Sequence, residues 1–462
     1  MQAKNISGLG RETAASQYER MTKTPVSKLI IRLSIPTVIS MLVTNIYNLV
    51  DTAFVGRLGN SASGAVGVVF GYMAIIQSFG FMFGQGGGSI LSRQLGAREP
   101  EKASRTASTA FFGALTVGTI LAFISMFVMD SLVSFLGSTE TIAPYAKTYL
   151  TYILIAAPFM TASFTLNNIL RYEGKAFFGM IGLMVGGILN IAGDPIFMFA
   201  LKMGIAGAGL STCLSQITSF AILMSVFLRG STTTKIRPGY IDLSLVANIC
   251  ATGLPSLLRQ SLSSIATIIL NWQVRPYGDE AVAAMSIVSR VSFFIFAVAL
   301  GIGQGFQPVS AFNYGAGKYS RVRKGYRFTV LLSESLMLIV LVIVALRSGQ
   351  VIGIFRDDAR VIEIGTRALR LQCAALIFLP PSMVTEMLLQ STGQRVGASL
   401  LSALRSGLIF IPLLIILSLT RGLYGVEEAQ PLAYVLTFLP AMAFAYWMLK
   451  KKMPAEDSPQ SM

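Results

Sequence analysis

The sequence predicts an all-α membrane protein: twelve transmembrane helices in two six-helix lobes, related by a pseudo-two-fold axis along the membrane normal. Three observations carry this. Of 462 residues, 53% are hydrophobic and only 13% charged, where a soluble domain carries about 25% charged residues; mean hydropathy is +0.65. Apolar runs of about 20 residues, the length a bilayer core asks of a helix, recur along the chain. The pattern of the first half then returns in the second.

The apolar runs, bounded by charged or Gly/Pro-rich breaks, predict helices near 29–56, 62–88, 107–129, 144–169, 177–200 and 205–228. A second set falls near 244–272, 281–308, 326–347, 363–390, 396–419 and 430–449. The most polar interior segment, 229–243, divides them six and six. The expected organisation is therefore a tail at 1–27, an N-lobe at 28–228, a linker at 229–243, a C-lobe at 244–449 and a tail at 450–462. Residues 1–27 are polar and mixed, with no short apolar core before a small-residue cleavage site, so no signal peptide is read there.

Orientation follows from the basic residues. Lys4, Arg11, Arg20, Lys23 and Lys28 precede the first predicted helix, and Lys450, Lys451 and Lys452 follow the last. Alternate loops carry Arg93, Arg98, Lys102 and Arg105, then Arg171 and Lys175, then Arg229, Lys235 and Arg237, then Lys318, Arg321, Arg323, Lys324 and Arg327. The opposite loops hold Asp279, Glu280, Asp357, Asp358, Glu427 and Glu428. The positive-inside rule then places both termini and the 229–243 linker in the cytoplasm, with the chain in the plasma (inner) membrane. The net charge of +16 is accounted for by these loops, so no nucleic-acid partner is inferred.

Cys213, Cys250 and Cys373 are far apart, form no C-x-x-C and read as small core residues. Histidine is absent, which removes the usual neutral-pH acid–base group. Proton or cation handling must rest on carboxylates. The runs Gly84-Gln85-Gly86-Gly87-Gly88 and Gly301-Ile302-Gly303-Gln304-Gly305 follow no strand, and no G-x-x-x-x-G-K-[ST] occurs. Close helix packing explains them better than nucleotide binding. No catalytic constellation is present, so the chain is read as no enzyme and as needing no cofactor.

The repeat has a constant offset. Pro36 and Pro255 stand 219 positions apart (255 − 36), and the same offset relates Gly59 to Gly278, Gly84-Gln85-Gly86 to Gly303-Gln304-Gly305, Gly96-Ala97 to Gly315-Ala316, and Gly174 to Gly393. Six helices separate the copies, so both have the same topology, a plan seen in transporters with a site at the repeat interface.

Three intramembrane positions break the symmetry: Asp51 aligns with Leu270, Asp194 with Leu413, and Asn167 with Glu386. Asp51 ends a stripe of Ser40, Thr44, Asn48 and Asp51 whose spacing puts them on one helix face, with Tyr47 alongside. Pro36 is expected to kink this helix. Asn190 and Asp194 form an i, i+4 pair followed by Pro195, which is expected to push Asp194 from ideal helical geometry and free backbone carbonyls. The next helix adds Ser211, Thr212, Ser215 and Gln216. Intramembrane acids are costly and functional by default. Two carboxylates close together in low dielectric cannot both ionise cheaply, so the pair should bind a proton or share a cation. In the second half, Arg290 lies mid-helix and Glu386 follows Pro380-Pro381; with Arg259 they leave a structural ion pair and a substrate role equally open.

Together these residues resemble the multidrug and toxic compound extrusion (MATE) family of cation-coupled exporters, over roughly residues 25–450. The motifs that carry the resemblance are Asn48-Leu49-Val50-Asp51-Thr52-Ala53-Phe54-Val55-Gly56-Arg57-Leu58-Gly59, Leu189-Asn190-Ile191-Ala192-Gly193-Asp194-Pro195-Ile196-Phe197, and Gly84-Gln85-Gly86 followed by Ser92-Arg93-Gln94-Leu95-Gly96-Ala97-Arg98. The resemblance implies export of amphipathic, often cationic drugs in exchange for H⁺ or Na⁺, by a monomer with a bilayer around it. It is most like the prokaryotic subgroup with an acidic N-lobe cation site. That site would be Asp51, Asn190, Asp194 and Thr212, with Na⁺ or a proton held there, Tyr149, Thr44 and Asn48 in the N-lobe cavity, and Pro36 bending the first helix. Another branch of the family uses a glutamate on the seventh helix; here that helix offers Arg259 and Gln260, which with Arg290 and Glu386 are the candidate C-lobe cavity residues. The alternative reading is a flippase for a lipid-linked oligosaccharide or another lipid, for which Arg259 and Arg290 would supply a cationic cavity.

Overall fold

The computed structural model describes residues 13–457, all helix and connecting turns, with no strand among the described residues. The helices are α1 (Ala14–Lys23), α2 (Val26–Gly56), α3 (Asn60–Gly96), α4 (Pro100–Phe127), α5 (Met129–Phe135), α6 (Ala143–Tyr172), α7 (Ala176–Pro195), α8 (Ile205–Leu228), α9 (Val246–Val274), α10 (Asp279–Gly315), α11 (Tyr319–Leu346), α12 (Ser348–Phe355), α13 (Ala359–Leu376), α14 (Leu379–Ser391), α15 (Arg395–Ala403), α16 (Phe410–Arg421) and α17 (Leu423–Tyr446). Ten helical segments among the described residues are long and apolar enough to cross a membrane, and α13 with α14, bent by 49°, makes an eleventh span. The 29-residue α9 completes the twelve at lower apolarity, because it carries Arg259, Gln260 and a run of serines.

Several sequence expectations are refined. Glu427 and Glu428, read as loop acids, lie inside α17, where Glu427 is 2% exposed and receives two 2.6 Å bonds from Arg367 on α13. Asp358 caps α13, accepting from the Arg360 and Val361 N–H groups. The helix at 396–419 is interrupted by a π turn at Leu404–Leu408. α2 runs unbroken through Pro36, and the Thr37 hydroxyl satisfies the Leu33 carbonyl within it. The repeat is visible in the backbone: Gly59 and Gly278 have φ +115° and +95°, Gly174 and Gly393 +79° and +85°.

Two compact units result, and their boundaries fall inside helices rather than at the 229–243 linker. The first comprises residues up to Pro25, Ile39–Gly253 and Ala311–Lys318; the second comprises Val26–Val38, Leu254–Ser310 and Tyr319 onward. In the first unit α6 is central, packed on α3, α4, α7 and α8. Its core gathers Tyr149, Leu150, Ile153 and Met160 against Val55, Val69 and Ile76. In the second, α17 packs on α13, α14 and α16, around Leu369, Leu376, Met383 and Leu414. The outward faces remain apolar, with Phe123, Phe127 and Leu228 each more than 60% exposed, as lipid contact requires.

The glycine-rich repeats are explained by close approach. A Cβ on Gly86 of α3 would lie 2.1 Å from the Ile249 carbonyl oxygen of α9, and one on Gly253 would lie 1.9 Å from that of Met82. At the matching place in the second unit, a Cβ on Gly305 would meet Ser34 Oγ at 2.2 Å, and Ser34 also bonds the Ile302 carbonyl. Small residues let these backbones touch, which is how helices gain packing energy where lipid offers no hydrophobic drive.

The linker is held, not slack. Ser104 and Ser108 on α4 accept the Lys235 and Arg237 N–H groups, each at 3.1 Å, and Thr109 accepts that of Asp242 at 3.0 Å. Glu173, fully buried, takes the Thr233 and Thr234 N–H groups at 3.0 Å and lies 3.7 Å from Lys175.

Candidate cation site and buried ion triad

On α2 the stripe predicted from spacing forms, and it ends in Asp51, 9% exposed. On α7, Asn190 and Asp194 are likewise buried. Asp194 stays helical rather than being displaced: α7 continues through Pro195 and then widens into a π turn at Ile196–Ala200. α8 packs directly on α7, and a Cβ at Gly193 would stand 2.5 Å from Ser211 Oγ, so glycine there is what admits the α8 hydroxyls.

The carboxyl groups of Asp51 and Asp194 are brought within electrostatic reach of one another. Asn190 Nδ2 donates to Thr212 Oγ1 at 3.2 Å, and stands 3.4 Å from Asp194 Oδ1 and 3.5 Å from Ser211 Oγ. Ser211 donates back to the Asn190 carbonyl at 3.1 Å. Tyr149 on α6, 1% exposed, lies near Thr212 and within electrostatic reach of both aspartates; Tyr47 lies near Gln216 and Asp51. Asp51 Oδ1, Asp194 Oδ2 and Asn190 Oδ1 are all buried without a hydrogen-bond partner. Neither aspartate takes part in an ion pair among the described residues.

Three orphan oxygens, two of them carboxylate, with hydroxyls at their side make a hard, oxygen-only donor set. Such a set suits a proton or a small alkali cation and not a soft metal. A cleft lined by Thr44, Tyr47, Asn190, Thr212, Ser215 and Gln216, among others, opens next to the pair. It has room for about one water-sized body, enough for an ion and far too little for a drug. Thr44 is thus in the cleft. Pro36 is not among its lining, and Asn48 contributes only its carbonyl, to Thr52 at 2.8 Å.

The second half gathers its charges differently. Glu386 on α14, fully buried, is bonded by Arg259 Nη1 at 2.7 Å and by Arg405 Nη2 at 2.6 Å. Arg405 comes from the π turn between α15 and α16, a partner that local sequence gave no reason to select. Gln390, one turn beyond Glu386, donates to Ser256 at 3.0 Å and accepts from Gln307 at 2.9 Å. Arg290 is exposed and Gln260 half-buried; neither joins the triad. Arg259 is therefore committed to a carboxylate.

The MatE family model matches residues 36–196 and 255–416, the two copies of the repeat. The chain is 28% identical over 427 residues to a multidrug export protein, MepA, of Staphylococcus saprophyticus subsp. saprophyticus, covering 92% of this chain and 94% of that one. It is 28% identical over 440 residues to MepA of Staphylococcus aureus strain N315, covering 94% and 97%. Among solved structures, an outward-facing multidrug resistance MATE family transporter of the MOP superfamily superposes with a TM-score of 0.86 at 27% identity, over 94% of this chain and 98% of the other. These relatives are transporters, not enzymes.

Proposed function

Because the chain belongs to the MatE family of multi-pass membrane transporters, we propose that it is a secondary active exporter, moving amphipathic, cationic organic compounds outward in exchange for H⁺ or Na⁺ by alternating access. The relatives named as multidrug exporters support the breadth of substrate. The observation that carries the coupling is the Asp51–Asp194 pair: two buried carboxyls within electrostatic reach of each other, with unsatisfied oxygens and no basic partner among the described residues. A buried charge of this kind requires a counter-charge, and a proton or Na⁺ supplies it.

In the proposed cycle a cation enters from outside, bridges Asp51 and Asp194 with help from Asn190 and Thr212, and reorients the outer part of α2. That helix begins in one compact unit and ends in the other, so both feel the change. The substrate then leaves. One charge moving down a 100 mV potential contributes about 2.3 kcal/mol, roughly a fiftyfold concentration ratio. The protein works as a monomer in the plasma membrane, with both termini cytoplasmic as the basic loops indicate.

The test is efflux of an ethidium-type cation from proteoliposomes under pH and Na⁺ gradients imposed separately, with Asp194→Asn beside wild type. Flux driven by one gradient and lost in the variant supports antiport at this pair and names the ion. Wild-type flux in a folded Asp194→Asn protein would refute it.

A further inference from the structure

Glu334 stands in the middle of α11, an otherwise strongly apolar span, about 10 Å beyond the last basic residue, Arg327, at 1.5 Å per residue. It is half-buried; its Oε2 is buried without a hydrogen-bond partner, and no ion pair among the described residues involves it. Its neighbour Ser333 is fully buried, and its hydroxyl is also without a partner. Two unsatisfied polar side chains side by side in a membrane helix call for an occupant.

What they face follows from register. Tyr326 on α11 bonds Thr385 on α14 at 2.9 Å, and the two spans run antiparallel. Seven residues further along α11 is Ser333, with Glu334 next; seven residues back from Thr385 is Phe378, with Ile377 next. Ser333 and Glu334 are therefore level with the break between α13 and α14, where the chain bends by 49°. Pro380 and Pro381 have no N–H, so the carbonyls of Leu376 and Ile377 lose the donors four residues on. The Phe378 carbonyl accepts from Ser382 at 2.9 Å, and those of Leu376 and Ile377 also lie at the bend.

The first copy of the repeat lacks every one of these features. Ala114 and Leu115 stand where Ser333 and Glu334 do, and Thr161 and Ala162 replace the two prolines. There α6 is continuous, and Thr161 closes the contact by donating to the Ala114 carbonyl at 2.9 Å. An acid, a hydroxyl without a partner and an opened helix stand together at one place in the second copy and not in the first.

We propose that Glu334, Ser333 and the carbonyls of Leu376 and Ile377 form a second monovalent-cation site, for Na⁺, separate from the Asp51–Asp194 pair. One carboxylate, a hydroxyl and unwound carbonyls are the oxygen donors with which broken membrane helices hold Na⁺. The site is distinct from the Arg259–Glu386–Arg405 triad, whose carboxylate is already neutralised.

The experiment is equilibrium binding of ²²Na⁺ to the purified full chain in detergent, for wild type, Glu334→Gln, Ser333→Ala and the double variant Asp51→Asn with Asp194→Asn. The expected result is loss of one bound Na⁺ per protein in Glu334→Gln and a several-fold weaker site in Ser333→Ala. The site that Glu334→Gln removes should persist in the double aspartate variant, which tests the first pair on its own. Thermal unfolding without Na⁺ controls for folding, and the isosteric Glu334→Gln should match wild type there. If Glu334→Gln binds as much Na⁺ as wild type, or wild type binds none that this substitution removes, the second site does not exist.

Discussion

Arg259 and Glu386 are joined at 2.7 Å in the buried interior of the second unit, and Arg405 holds the carboxylate's other oxygen. Each oxygen has one guanidinium, so the cluster is satisfied and carries one net positive charge. Removing the carboxylate would leave two buried cations facing each other. Glu386→Gln is expected to cost about 3–5 kcal/mol, read as a large fall in thermal unfolding temperature in detergent. Unchanged stability would mean that water reaches the triad.

Gly253 tests the close approach of α9 to α3. An added Cβ would sit 1.9 Å from a backbone oxygen, which cannot move aside as a side chain can. Gly253→Ala should destabilise by about 1–3 kcal/mol through overpacking. Gly239, in the linker with nothing within 4 Å of its would-be Cβ, is the control, and Gly239→Ala should be close to neutral. Denaturant titration of both variants decides it.

Glu173 fastens the linker through the Thr233 and Thr234 N–H groups. Glu173→Ala removes hydrogen bonds to a buried charge, a loss of about 2 kcal/mol or roughly thirtyfold in the detached population. Limited trypsin digestion after Lys235 should speed up accordingly, since cleavage follows the opened fraction; Arg237 precedes Pro238 and is not a trypsin site. An unchanged rate would show that the α4 hydroxyls hold the linker alone.

Asp242 gives a pH dependence outside the membrane. Bonds from the Ser244 side chain and N–H, with Arg105 nearby, hold its carboxyl below the ordinary value of 3.8. A carboxyl lowered in the fold stabilises it above the unfolded value and stops doing so as pH falls through the folded one. Hydrogen exchange at the Ser244 amide should therefore stay protected down to about pH 4 and lose protection below it. In Asp242→Asn that pH-dependent step should disappear; if it persists, another group is responsible.

Much of the architecture was legible because a bilayer demands long apolar helices and sorts basic loops to one side. The 219-residue offset survived because the positions that carry it, such as Gly59 with Gly278, need backbone conformations few residues adopt. Asp51 and Asp194 were visible for the same kind of reason: a carboxylate in an apolar span is too costly to be incidental. Arg405 and Glu334 were not. Arg405 acquires its meaning only when a π turn aims it at Glu386, and the proposed role of Glu334 only when the Tyr326–Thr385 bond sets the register of α11 on α14.

The sequence by itself determined the helical class, the twofold repeat and the acids that must be compensated, since each depends on transfer free energy or local spacing. The tertiary structure decided the partners. It turned Arg259 from a candidate cavity cation into half of a salt bridge, kept Asp194 helical by way of a π turn, and drew the boundaries of packing inside helices rather than at the linker. Which side chains meet depends on close contacts between segments over a hundred residues apart, and no local pattern records those.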